Sequence, residues 1–138
     1  MNVTPEALDW VRKAEGDLVA ALRLARGEDP LPDQAGFFCQ QAAEKYLKAF
    51  LIAAGQTPPR IHDVDALLEM CAEKDPAFDR LRLLVEGLTE FAVAFRYPGE
   101  WSDLQAANRA LTQAHEVRAL VREKMGLGGS DLTGLQDL

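Results

Sequence analysis

FFCQQAAEKYLKAFL, residues 37–51, is the stretch whose reading decides the fold. At about 100° per residue, Cys39, Ala42, Ala43, Tyr46, Ala49 and Phe50 crowd one side of a helix, and Ala53 extends the stripe. Small side chains on that side let a neighbouring helix approach closely. The opposite side is no plain solvated face, because Gln41, Glu44, Lys45 and Lys48 alternate there with Phe37, Leu51 and Ile52. Apolar groups set among charges mark a surface that meets something. The expected occupant is a further helix, from the same chain or from a dimer partner, with packing by the next helix of the chain as the plain alternative.

Working outward, Gly55 and Pro58-Pro59 stop this helix, which is expected over 34–54. Upstream, Thr4-Pro5-Glu6 combines a capping hydroxyl, a residue with no N–H to orphan and a carboxylate at the positive dipole end. Leu8, Val11, Leu18, Leu22 and Ala25 then recur with helical period, predicting a helix over 5–26, and GEDPLPD at 27–33 is the turn after it. Downstream, Leu67, Leu68, Met70 and Cys71 define a short helix over 63–74, closed by Asp75-Pro76, with Asp75 capping its successor. That successor, 76–95, carries Phe78, Leu81, Leu84, Leu88, Phe91 and Phe95 until RYPG at 96–99 breaks it. Ser102 and Gln105 fit a capping box for a last helix ending near Met125, with Gly126 as its stop.

No stretch alternates with the period of two that a strand requires. The expectation is an all-α, antiparallel up-and-down bundle of four or five helices: a single helical domain over 1–126 and a Gly-rich tail over 127–138 bearing Leu127, Leu132, Leu135 and Leu138.

Composition narrows function. The 138 residues suit one domain, and Lys plus Arg number 15 against 22 Asp plus Glu, a net charge of −7. Such a chain lacks the broad positive field of a non-specific duplex binder. Cys39 and Cys71 form no CxxC and have no His at metal spacing, so buried free thiols are expected. The two histidines, His62 and His115, are preceded at three positions by Pro59 and Thr112, which removes the Glu-x-x-His signature of a metal-carboxylate bundle. There is no phosphate-binding glycine loop and no nucleophile elbow. No metal and no cofactor are therefore expected. The N-terminus does not read as a leader and no window reaches the roughly 18 apolar residues of a membrane span, so the expected location is cytoplasmic.

Three elements taken together, CQQAAEKYLKA within 37–51, His62-Asp63 opening the next helix and Arg96-Tyr97-Pro98 closing the fourth, resemble the HEPN domain, the helical family named for higher eukaryotes and prokaryotes nucleotide binding. The resemblance runs over about 5–125. It implies a four- or five-helix bundle that commonly dimerises. It also implies one of three roles: nucleotide binding, metal-independent RNA cleavage by a toxin, or pairing with a minimal nucleotidyltransferase. The ribonuclease members carry Arg, four to six residues, then His at the entry to the last long helix. Arg96 stands near that place, but Trp101, Ser102 and Asp103 follow where the His belongs.

The string Arg109-Ala-Leu-Thr-Gln-Ala-His115 matches the pattern elsewhere. Six residues of continuous helix turn by about 600°, leaving the two side chains about 120° apart, so one chain does not aim both at one phosphate. A catalytic Arg109/His115 pair needs a broken helix or an arrangement across a dimer interface, with Arg polarising the phosphate and His as acid or base.

The candidate nucleotide-binding group is Gln41, Lys45, Lys48, Arg60, His62, Arg96 and Tyr97. Lys45 and Lys48 lie about 60° apart on the wheel and offer ammonium groups, Gln41 an amide, and Arg96-Tyr97 a guanidinium beside a planar ring. Each has a plainer role: Glu44 to Lys48 is the favourable i, i+4 pair, and His62 and Arg96 suit helix ends. The reading is a homodimeric HEPN-like module that binds a nucleotide or RNA, or holds a nucleotidyltransferase partner, without catalysis of its own. The rivals are a ribonuclease toxin of a toxin–antitoxin pair, and a structural adaptor capturing a partner helix through Phe37, Leu51, Ile52 and the tail.

Overall fold

The structure, a computed structural model, describes residues 1–95 and 97–128, the side chains of Ala92 and Val93 excepted. Among these every regular element is helical: α1 Pro5–Ala25, α2 Pro32–Ala53, α3 Val64–Lys74, a 3-10 helix Pro76–Leu81, α4 Arg82–Ala94 and α5 Leu104–Met125. The Thr4 hydroxyl caps α1 by accepting from the Ala7 N–H at 3.2 Å, and Asp63 caps α3 in the same way through Ala66. At the C-terminus of α5, Gly126 takes the left-handed conformation, and the Leu127 N–H reaches back to the Arg122 carbonyl at 3.0 Å.

Two boundaries differ from the sequence expectation. Ser102 and Gln105 do not form the capping box. The Ser102 N–H and hydroxyl both donate to Asp33 in the first turn of α2, at 2.8 and 2.5 Å, so Asp103 caps α5 instead by accepting from Ala106. The fourth helix is also not continuous over 76–95. Three residues per turn stack Phe78 and Leu81 on one side of the 3-10 helix, which seats the Phe78 ring 4.4 Å from that of Phe50. The wider turn of α4 then brings Val85, Leu88 and Phe91 into the core.

Ties between distant residues give the topology. The Asn2 N–H bonds the Ala53 carbonyl and Lys45 pairs with Asp17, so α1 and α2 are antiparallel. Lys124 pairs with Asp75 and Gln113 lies against Gly87, so α5 runs antiparallel to the third leg made by the 3-10 helix and α4. The result is an antiparallel up-and-down bundle with α3 laid across α2.

α2 is the helix that the others enclose. Its small-residue stripe is buried as its pattern predicts, and its second face is covered from within the chain. His62, at the entry to α3, reaches Glu44, and the Cys71 thiol of α3 lies 3.5 Å from the Leu47 carbonyl. Leu51 is fully buried beneath this cover, and Ile52 is half-buried, so of the three apolar residues read as an interaction surface only Phe37 is well exposed. Cys39 and Cys71 are buried free thiols; burial pushes the Cys39 pKa up to about 12 and that of Cys71 higher still. No helix among the described residues is long and apolar enough to cross a membrane. Arg96 and residues 129–138 of the tail lie outside the described residues.

Two legs pack tightly at Gly36, where a Cβ would stand 1.8 to 2.3 Å from atoms of the Phe91 ring. Gly36→Val forces that ring out of its seat. It is expected to lower stability by about 1–3 kcal/mol, read as a reduced midpoint in urea.

Candidate functional site

The last three turns of α2 carry the charges that matter. Glu44 and Lys48 lie one turn apart and are only 4% and 5% exposed. A lone charge so buried is costly, and the two meet at 3.1 Å. His62 completes the group, with Nδ1 at 3.1 and 3.2 Å from the two carboxylate oxygens. A carboxylate only accepts, so Nδ1 carries the proton, and Nε2 on the ring's other edge points away from Glu44. The Lys48 ammonium also stands 5.4 Å from the centroid of the Trp10 ring on α1, in cation–π range.

These groups open onto a cleft of about 410 Å³ between the start of α1 and the 57–62 connection. Trp10 and Pro58-Pro59 form its apolar walls, Lys48, Arg60 and His62 its basic side, and Glu6 a single acidic rim. A second hollow shares Glu6 and Trp10 and runs on to Lys45, which Asp17 holds. Planar and prolyl surfaces facing donors of positive charge suit a ring that carries an anionic group.

Of the candidate residues, Lys48, Arg60 and His62 come together here, and Lys45 stands beside them. Gln41 is half-exposed on α2 and lines neither hollow. Tyr97 does not join the group. It is exposed in the connection after α4, whose last turns pack by Gly36, at the far end of α2 from Lys48. At about 1.5 Å per residue, the twelve positions from Gly36 to Lys48 separate the two ends by roughly 18 Å. Arg109 and His115 do not converge either. α5 runs unbroken through both, Arg109 is exposed, and half-buried His115 lines a different cleft with Arg26 of the α1 terminus.

Sequence reading missed Trp10 and Glu6. Both fall on the flank of α1 outside its regular apolar stripe, and nothing local ties them to residues 48 or 62. Trp10 beside the stripe residue Val11 was the available signal.

The model of the HEPN domain family matches residues 7–124. The chain belongs to the HEPN family. Searches among curated proteins and among solved structures return no match. Helical-bundle architecture and membership of a family associated with nucleotide and RNA chemistry thus stand together for this HEPN protein.

Removing Glu44 strands the Lys48 ammonium. Glu44→Ala is expected to cost about 3–5 kcal/mol in chemical unfolding, and Lys48→Met in that background to recover most of the loss. Additive losses in the double variant contradict the pairing.

Proposed function

We infer that this HEPN protein is a binding module whose ligand is a nucleoside monophosphate or the terminal nucleotide of an RNA, held in the Trp10 cleft and left uncut. The observation that carries this reading is the meeting of the Trp10 ring with Lys48, Arg60 and His62 around one cleft of about 410 Å³. The base stacks on Trp10 or the prolines, and the phosphate lies against Arg60 and Nε2 of His62. Glu44 offsets the Lys48 charge, and Glu6 is an acceptor for a base amine or a ribose hydroxyl. That balance favours one phosphate over three.

Catalysis is not part of the reading, because Arg109 and His115 open onto different surroundings of the same unbroken helix. The protein partner expected of the family is assigned to the other end of the bundle. Leu31, Phe37, Tyr97, Trp101 and Leu104 are all exposed there, around the Asp33–Ser102 tie. A second copy of the chain is the partner this reading takes first. A minimal nucleotidyltransferase is the next.

In EDTA, a nucleoside monophosphate at 100 times its dissociation constant is expected to stabilise the protein by about 2.7 kcal/mol, read as a raised melting temperature. Arg60→Ala is expected to weaken binding by about tenfold or more through the lost charge-assisted contact. RNA recovered afterwards is expected intact. Cleavage that Arg109→Ala and His115→Ala both abolish overturns the binding-module reading in favour of a ribonuclease. Light scattering is expected to give twice the 15.2 kDa chain mass, reverting to one chain in Trp101→Asp. A monomeric parent removes the second copy as occupant.

A further inference from the structure

The second cleft, at the other end of α1, takes no part in the Trp10 site and shares only Leu104 with the exposed apolar patch. It measures about 640 Å³ and lies between the α1 terminus and the first half of α5. Asn108, Thr112 and His115 follow one another at i, i+4 and i+7, which places them on one stripe of α5. Arg26 faces them from α1. It is the residue where that helix ends, extended at φ −112° and ψ 162°, and Gly27 at φ 106° turns the chain away behind it. The floor is apolar and includes Leu22, Ala25 and Leu111, with Leu104 at the mouth.

We propose that this cleft is a second, independent binding site for a phosphate monoester of a hydroxylated organic group, its phosphate held between Arg26 and His115. Four observations lead there. No carboxylate is among the lining residues, and the polar ones present a guanidinium, an amide, a hydroxyl and an imidazole. Two elements, not one helix end, supply the groups that hold the anion. The Thr112 hydroxyl donates to the Asn108 carbonyl at 3.1 Å, so its oxygen faces a ligand as an acceptor and suits a hydroxyl of the organic part, not the anion. The apolar floor takes the carbon skeleton that a free phosphate lacks.

The electrostatics agree with that geometry. Burial holds the His115 imidazole below its ordinary pKa, and the positive charges of Arg118 and Arg26 press it the same way, against an opposing pull from Glu116. A half-buried imidazole beside the Arg26 guanidinium gains from a bound dianion, which favours its charged form. The site differs from the Arg109/His115 string, because the arginine lining it with His115 is Arg26 and not Arg109.

The chain has only two histidines, one in each cleft, so the two imidazoles report the two sites separately by NMR. The full chain is titrated with ribose 5-phosphate, inorganic phosphate and ribose in EDTA. Ribose 5-phosphate is expected to shift the His115 ring signals and raise the pKa read from them, at lower concentrations than inorganic phosphate requires. Arg26→Gln is expected to weaken that response by about tenfold or more, and Arg109→Gln to leave it unchanged. Arg26 is exposed, so its replacement leaves the core intact, and the unchanged spectrum of the other residues verifies this. An unmoved His115, an equal response to inorganic phosphate, or a response that depends on Arg109 and not Arg26 overturns the proposal. Movement of His62 alone overturns it, and movement of His115 alone sustains it, the Trp10 cleft being tested separately by a nucleoside monophosphate.

Discussion

The enclosure of α2 is the constraint on which the rest of this molecule depends. Helices α1, α3, α4 and α5 all pack against it, and the buried residues fall on almost every side of its later turns. A helix so enclosed leaves Glu44 and Lys48 little solvent into which to point. Glu44 and Lys48 are therefore answerable to one another and to what stands above them. Their pairing, the imidazole of His62 on the carboxylate and the Trp10 ring by the ammonium together mark the place where three segments of chain meet. A buried ion pair of this kind is weak evidence for net stability, because desolvation opposes attraction, but its geometry fixes where α1 and the start of α3 sit relative to α2.

Because the middle of the bundle is closed, the two clefts described above open at its ends. Where α1 begins and α2 finishes, the long 54–63 connection leaves Arg60 and His62 above the buried pair, and the Trp10 cleft results. Where α1 finishes and α5 begins, Arg26 faces the stripe of Asn108, Thr112 and His115. Near this second end, the Asp33 carboxylate clasps Ser102 and thereby presents Trp101, 76% exposed, and Leu104 to the outside. The two ends thus differ in kind: one basic and aromatic around a single cleft, the other an apolar patch beside a cleft rich in donors.

Local geometry shows the same economy of causes. The 3-10 helix exists because Phe78 and Leu81 both face the core at a spacing of three, and the change to α4 lets Val85 and Leu88 follow at the α-helical spacing. Asp75 joins the two legs: the Ala77 N–H, and then the Lys124 side chain, hold its carboxyl below the usual carboxylate range. Gly36 permits the inner end of α4 to come close enough for the Phe91 ring to lie over the α2 backbone. Larger side chains at such a crossing hold the axes apart.

Residue order by itself determined the helical class, the number of legs and most helix ends. Thr4, Asp63, Asp75 and Gly126 act through hydrogen bonds to backbone groups two to four residues away, and apolar periodicity is likewise a property of a single segment. The motif set of residues 37–51, 62–63 and 96–98 was legible as a HEPN pattern for the same reason. Tertiary structure alone decided which face of α2 was second-best and which was buried, since Leu51 and Phe37 look alike in a helical wheel and differ only in what lies over them. It also took Ser102 from its expected cap, because Asp33, distant in sequence, competes for the same hydroxyl. It assembled Trp10 with Lys48, and Arg26 with His115, from segments whose separation in sequence carries no trace of their meeting. Contacts within a few residues are encoded by spacing, whereas convergence across helices depends on the order in which the legs pack.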